Sequence, residues 1–276
     1  AGATGDNGVG ISGICWRLNI MSVKVTSGSS GYAYISDILH GCNWAIRHGA
    51  DVVNVSFAGV ECDAVQAMGA YAHMEGAHLV WAAGNGAMNL DWFDHEDGLV
   101  VSATNETDTM YASSNFGRAI DVAAPGVRVP TLKRNGSYYV RTGTSYAAPH
   151  VSGVLALMRS VRPDLSPETI EDILLRTCGD LFTPGEDDFS GRGLLNARRA
   201  VLLAVTYGGN SVGGGGGDDD HDADINDDGV VDVNDVIAFL DYFWLQDPIA
   251  DFDDNGIWDV MDLILFMNRW DEEYDG

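Results

Sequence analysis

Between residues 1 and 205 the chain alternates short apolar runs with amphipathic stretches, and this alternation narrows the fold more than any other feature. The apolar runs read as strands at Leu18–Val25, Asp51–Phe57, His78–Ala83, Leu99–Ala103 and Ala119–Ala123. The amphipathic stretches read as helices at Ile35–His48, Ala64–Glu75, Ser145–Arg162, Glu168–Thr177 and Asn196–Val205. Runs so uniformly apolar lack the in-and-out alternation of a half-exposed sheet. Both faces must therefore be covered, which a mostly parallel sheet between two helical layers achieves. An α/β fold in three layers is expected. Ser166-Pro167 marks one helix start, a capping serine followed by proline at the first helical position.

Charge divides the chain a second way. The net charge is −26, but residues 217–276 hold 20 acidic residues against the single basic Arg269, which leaves −7 for the first 216 residues. A surface this acidic repels a phosphate backbone, so nucleic acid is excluded as a partner. No apolar run is long enough to span a membrane. Residues 207–220 are rich in Gly and Asp and read as a linker, separating a domain at 1–206 from a small one at 221–276.

The small domain contains two matched segments that begin 27 residues apart, at Asp224 and Asp251. In the first, Asp224, Asn226, Asp228, Asp232 and Asp235 place side-chain oxygens at positions 1, 3, 5, 9 and 12, and Val230 offers a backbone carbonyl at position 7. In the second, Asp251, Asp253, Asn255, Asp259 and Asp262 repeat the pattern, with Ile257 at position 7. Glycine occupies position 6 of both. Ca²⁺ takes six to eight oxygens, and that glycine permits the sharp turn of an EF-hand-type loop. So many clustered carboxylates would repel one another without a cation. Each loop runs into an apolar helix, at Val236–Trp244 and Leu263–Trp270. This small α-helical loop–helix duplicate, with Asp rather than Glu at position 12, resembles a type I dockerin. The resemblance implies calcium binding and a cohesin-like module or cell-surface component as partner.

Gly143-Thr144-Ser145-Tyr146-Ala147-Ala148-Pro149-His150 sets a serine hydroxyl where a glycine turn meets a helix. Free backbone N–H groups and the helix dipole there favour developing negative charge. Pro149 is expected in the first helical turn, where its missing N–H costs little. Upstream, Ala83-Gly84-Asn85 puts an amide after small residues, and Ser56-Phe57-Ala58-Gly59 ends an apolar run. Taken singly, Ser145 fits a helix cap and Asn85 a turn. Their joint order resembles the subtilisin-like serine peptidases, over about residues 1–205. That resemblance implies Ser145 as nucleophile and Asn85 as the side-chain donor of an oxyanion hole. It implies Ser56, Phe57, Ala58, Gly59, Ala83 and Gly84 as substrate-binding residues, with a peptide or protein as substrate and a secreted or cell-surface location. Asn7, in the glycine-rich start, would be a further calcium ligand by the same resemblance, and fits a plain turn equally.

A serine hydroxyl needs a base. The aspartate and histidine motifs that precede this region in the family are not in the sequence, and none of the seven histidines reads as a substitute. His40, His48, His73, His78, His95, His150 and His221 all read as surface or packing residues. The chain is therefore expected to be part of a longer serine endopeptidase and to have little activity alone. The alternative is a non-catalytic binding protein anchored through its acidic module. Cys15, Cys42, Cys62 and Cys178 form no CxxC pair and fit either disulfides or buried thiols.

Overall fold

The computed structural model describes residues 1–26, 31–133, 135–207, 223–225, 231, 233–245, 248–252 and 260–273. The chain divides into two compact units, Ala1–Val205 and Thr206–Gly276. In the larger unit α1 (Ile35–Arg47), β1 (Val52–Val55), α2 (Asp63–Met74), β2 (His78–Ala82), β3 (Leu99–Thr104) and β4 (Val122–Pro125) follow in order. Strands β1 to β4 form one parallel sheet in that sequence, with Val52 opposite His78, Trp81 opposite Val100 and Ala103 opposite Ala124.

A hairpin of β5 (Val129–Leu132) and β6 (Tyr138–Arg141) then leads into α3 (Thr144–Val161), α4 (Pro167–Arg176) and α5 (Ala197–Thr206). Every residue of β2 and β3 is buried. Because successive strand side chains point to opposite faces, the sheet feeds two cores. Val80, Ala82, Val101 and Ala103 pack with Ala147, Val151 and Leu155 of α3. Leu79, Trp81 and Val100 pack on the other face with Ile38 and Ile46 of α1 and Val65 of α2. The three-layer α/β arrangement is thus produced by uninterrupted apolar strands.

Three local expectations are corrected. Leu18–Val25 makes no strand: Val23 and Val25 pack on the α1 side of the sheet, but the backbone enters no ladder. Strand propensity without a hydrogen-bonding partner does not make a strand. The β5–β6 hairpin was not anticipated, because its residues are largely exposed and its pattern is not that of a core strand. Pro149 is the sixth residue of α3, not in its first turn. Its missing N–H would have bonded the Ser145 carbonyl four residues earlier. At α4 the anticipated start holds: Ser166 Oγ accepts from Thr169 N at 3.3 Å, with Pro167 as first residue.

In the smaller unit, α6 (Val233–Leu245) and α7 (Val260–Glu273) meet through Phe239 and Phe266, stacked with centroids 4.2 Å apart. Phe252 packs edge-on to both. No helix among the described residues is long and apolar enough to cross a membrane.

Candidate active site

The carboxyl ends of β1 and β2 and the amino end of α3 converge, and the candidate residues collect there. In open α/β sheets the crevice beyond the strand carboxyl ends is where ligands bind. Gly143 turns the chain into α3 at φ 147°, a conformation that favours glycine, and a Cβ there would lie 3.2 Å from Asn85 Oδ1. The next residue fixes Asn85. Thr144 N donates to Asn85 Oδ1 at 2.8 Å and Thr144 Oγ1 donates to it at 3.3 Å, while Gly84 N donates to Thr144 Oγ1 at 3.1 Å. A backbone N–H can only donate, so the oxygen of the Asn85 amide must face the helix. Its NH₂ is left as the outward donor.

Ser145, half-buried, occupies the second position of α3, where backbone N–H groups have no intrahelical acceptor. Its Oγ donates to the Ser56 carbonyl at 3.2 Å, and Ser56 Oγ donates back to the Ser145 carbonyl at 3.0 Å. The second bond replaces the one that Pro149 cannot make. Asn54 Nδ2 donates to Ser56 Oγ at 2.9 Å, and Ser152 Oγ donates to Asn54 Oδ1 at 3.0 Å, so β1 and α3 are joined through four polar side chains. The Phe57 carbonyl accepts from the ring N–H of fully buried Trp81 at 2.8 Å, which anchors the segment after β1 to β2. Ala58 is exposed and Gly59 half-buried at φ 107°.

Among relatives, residues 1–193 match the model of the subtilase family. The chain belongs to the subtilase family. It is 32% identical over 202 residues to subtilisin DY of Bacillus licheniformis, an alignment covering 71% of this chain and 72% of that one. It is 33% identical over 199 residues to M-protease of Shouchella clausii (strain KSM-K16), covering 71% of this chain and 51% of that one. The chain thus spans about half the length of M-protease. A solved structure of a protease from Pseudoalteromonas arctica PAMC 21717 superposes with TM-score 0.64 at 30% identity, covering 74% of this chain and 68% of that one. A lanthipeptide protease structure shares the fold, with TM-score 0.58 at 22% identity, covering 65% and 69%.

Five of the six described histidines are hydrogen-bonded to groups other than Ser145 Oγ. His150 Nδ1 lies 2.8 Å from the Tyr146 carbonyl, and burial holds its pKa below the usual histidine value. His48 caps the Trp44 carbonyl at 2.7 Å, and His95 Nε2 lies 2.6 Å from the Val60 carbonyl. His73 Nε2 and His78 Nδ1 lie 3.0 and 2.8 Å from the same buried oxygen, Oε1 of Glu171 on α4. His40 is exposed on α1, and His221 lies outside the described residues.

Two contributors escaped the sequence reading. Asn115 donates from Nδ2 to the Ala83 carbonyl at 2.8 Å and accepts from Gly86 N and Met88 N at 2.9 and 3.0 Å, which staples the loop carrying Asn85. A residue in an unremarkable Ser-Ser-Asn-Phe-Gly loop gives no sign of so distant a partner. Thr144, beside the serine in the sequence, gives no local sign that it orients Asn85.

Of the calcium candidates, Asp235 and Asp262 are fully buried, Asp251 is nearly so and Asp224 is half-buried. These are the first and last positions of both loops. Asn226, Asp228, Val230, Asp232, Asp253, Asn255, Ile257 and Asp259 lie outside the described residues. Asn7 is exposed, and its Oδ1 accepts from Val9 N at 3.0 Å, which closes a turn. All four cysteines are free thiols.

Proposed function

We propose that this subtilase is a serine endopeptidase that cleaves through an acyl-enzyme on Ser145. The observation that carries the proposal is the Thr144–Asn85 pair, which turns an amide NH₂ outward beside the nucleophile. Ser145 Oγ forms a bond to the peptide carbonyl carbon and gives its proton to a base. The resulting oxyanion is held by the Ser145 N–H and Asn85 Nδ2. The base returns the proton to the leaving amine, and water then hydrolyses the ester by the same route. The segment Ser56–Gly59 pairs with the substrate backbone in the manner of an added strand, with Ala83 and Gly84 leaving room for its side chains.

The base is proposed to be a histidine outside these 276 residues, oriented by a carboxylate also outside them, because five of the six described histidines are hydrogen-bonded to other groups and the sixth, His40, lies exposed on α1. That same observation favours a second reading, a non-catalytic peptide-binding protein. The two are separated by peptide hydrolysis with the natural protein that contains this chain. Endopeptidase activity should vanish in Ser145→Ala. It should fall in Asn85→Ala by the roughly 10²–10³-fold that subtilisin itself shows on losing its oxyanion asparagine, a magnitude carried over from that enzyme. Peptide binding without hydrolysis in the wild type would establish the second reading.

We further propose that the two acidic loops bind Ca²⁺ and that the module docks on a cohesin-like or cell-surface partner of an exported protein. Buried Asp235, Asp251 and Asp262 in a segment of net charge −19 support the metal: carboxylates are rarely buried without a cation or another compensating partner. Bound calcium would neutralise those oxygens and fix the entry into α6 and α7.

A further inference from the structure

All 41 acidic residues of the chain lie outside residues 122–163, a stretch that holds six of its 15 basic ones. Two of the six are used structurally beyond the active site. Arg159 donates to the carbonyls of Leu165 and Gly76, and Arg162 pairs with Asp164. Of the other four, Arg134 lies outside the described residues, and Arg128, Lys133 and Arg141 flank or end the strands of the hairpin that feeds directly into Ser145. Arg128, Lys133 and Arg141 are exposed, and no carboxylate pairs with them among the described residues.

The hairpin presents these cations in an ordered way. Tyr139 takes Arg141 over its ring at 4.6 Å and Lys133 at 5.4 Å. A stacked guanidinium keeps its N–H edge available to a carboxylate. Burial and the neighbouring Tyr139 phenol raise the pKa of Tyr146, the residue after Ser145. At the base of the hairpin Gly143 N donates to the Gly126 carbonyl at 2.8 Å and Arg128 N donates to Thr142 Oγ1 at 3.0 Å. Arg128 holds a left-handed φ of 57°, which glycine or asparagine would adopt with less strain. An arginine in that conformation points to a use for its side chain.

We infer that the β5–β6 hairpin is a substrate-binding surface that selects acidic peptides, an inference that rests on Ser145 being the centre of a peptide-binding cleft. Three exposed cations on one hairpin, none paired with a carboxylate among the described residues, form a local positive field. At physiological salt the Debye length is about 8 Å, so this field governs a peptide at the hairpin in spite of the negative charge of the whole chain. Acidic side chains on the part of the substrate that lies along β6 would meet Arg141, Lys133 and Arg128.

The test is fluorescence anisotropy with the full chain and two labelled octapeptides of equal apolar content, one carrying Asp and Glu and the other Lys and Arg. Three exposed charge contacts predict that the acidic peptide binds roughly tenfold more tightly in about 0.15 M salt. The preference should disappear near 1 M salt and reverse in a triple variant Arg128→Glu, Lys133→Glu, Arg141→Glu whose circular dichroism matches the wild type. Should that variant fail to fold, the single change Arg141→Gln must still reduce the ratio severalfold. Equal binding of both peptides, unchanged by these substitutions, overturns the inference and leaves the peptidase reading intact. Binding of neither peptide at any salt overturns both the inference and the reading of Ser145 as the centre of a peptide-binding cleft.

Discussion

Glu171→Ala should be among the most damaging single substitutions in the larger unit. The Glu171 carboxylate is buried, and one of its oxygens lies within hydrogen-bonding distance of His73 of α2 at 3.0 Å and His78 of β2 at 2.8 Å. Burial alone would raise the Glu171 pKa, but the two histidine hydrogen bonds and charges outweigh it and hold the carboxyl below its usual range. Burial alone would lower the pKa of His73, but its bond to Glu171 and the charges of Glu171, Asp97 and Glu168 hold it above its usual range. Removing the carboxylate leaves two buried rings without their partner. Breaking a buried ion pair in this way costs about 3–5 kcal/mol, which for a unit of this size lowers Tm by about 6–20 °C. The raised His73 pKa stabilises the fold fully below the unfolded value near 6.5, and this contribution is lost as pH rises through the folded value. The lowered Glu171 pKa stabilises above about 4.5, and that contribution is lost as pH falls through its folded value. Thermal melts of the full chain from pH 3 to 9 should therefore show a maximum between these limits in the wild type and a flattened profile in Glu171→Ala. A Tm drop under about 2 °C at pH 6, or an unchanged pH profile, would refute the reasoning.

Ser56→Ala should cost about 1 kcal/mol, because the Ser145 carbonyl released by Pro149 loses its donor. In a Pro149→Ala background the helix supplies that donor, so a double-mutant cycle by urea denaturation should show the Ser56→Ala cost shrinking; additivity would contradict the exchange of partners. Burial pushes the Cys42 and Cys178 thiols up to about 12, so native protein at pH 8 should leave both unalkylated by iodoacetamide. Denatured without reductant, all four cysteines should react, and fewer than four adducts by mass spectrometry would reveal a disulfide. Chelating calcium should reduce the helical circular dichroism contributed by α6 and α7, and an unchanged spectrum would count against metal-dependent folding of the acidic module.

The layers of the fold were legible where burial is continuous. His78–Ala82 and Leu99–Thr104 are apolar along their length because both faces are covered, and α1 and α4 carry the one-sided pattern of surface helices. The hairpin was not legible from its apolar content, although Asn135-Gly136 between Leu132 and Tyr138 is a turn signal that could have located it. Ser145 and Asn85 could be singled out from local residue types, but the bond that orients Asn85 comes from Thr144, 59 residues away. The histidine–glutamate cluster was invisible for the same reason: His73 and Glu171 are 98 residues apart and are ordinary residues until α2 and α4 pack. Local chemistry marks candidates in a sequence, whereas their orientation is set by partners that only the tertiary fold supplies.

Peptide hydrolysis by this route requires Ser145 to be a nucleophile in a formed oxyanion site. A fluorophosphonate probe applied to the natural protein containing this chain, followed by peptide mass mapping, tests that directly. The predicted result is one adduct, on the peptide that carries Ser145, lost in Ser145→Ala and slowed at least tenfold in Asn85→Ala. A folded, calcium-loaded protein that gives no adduct at Ser145 would contradict it.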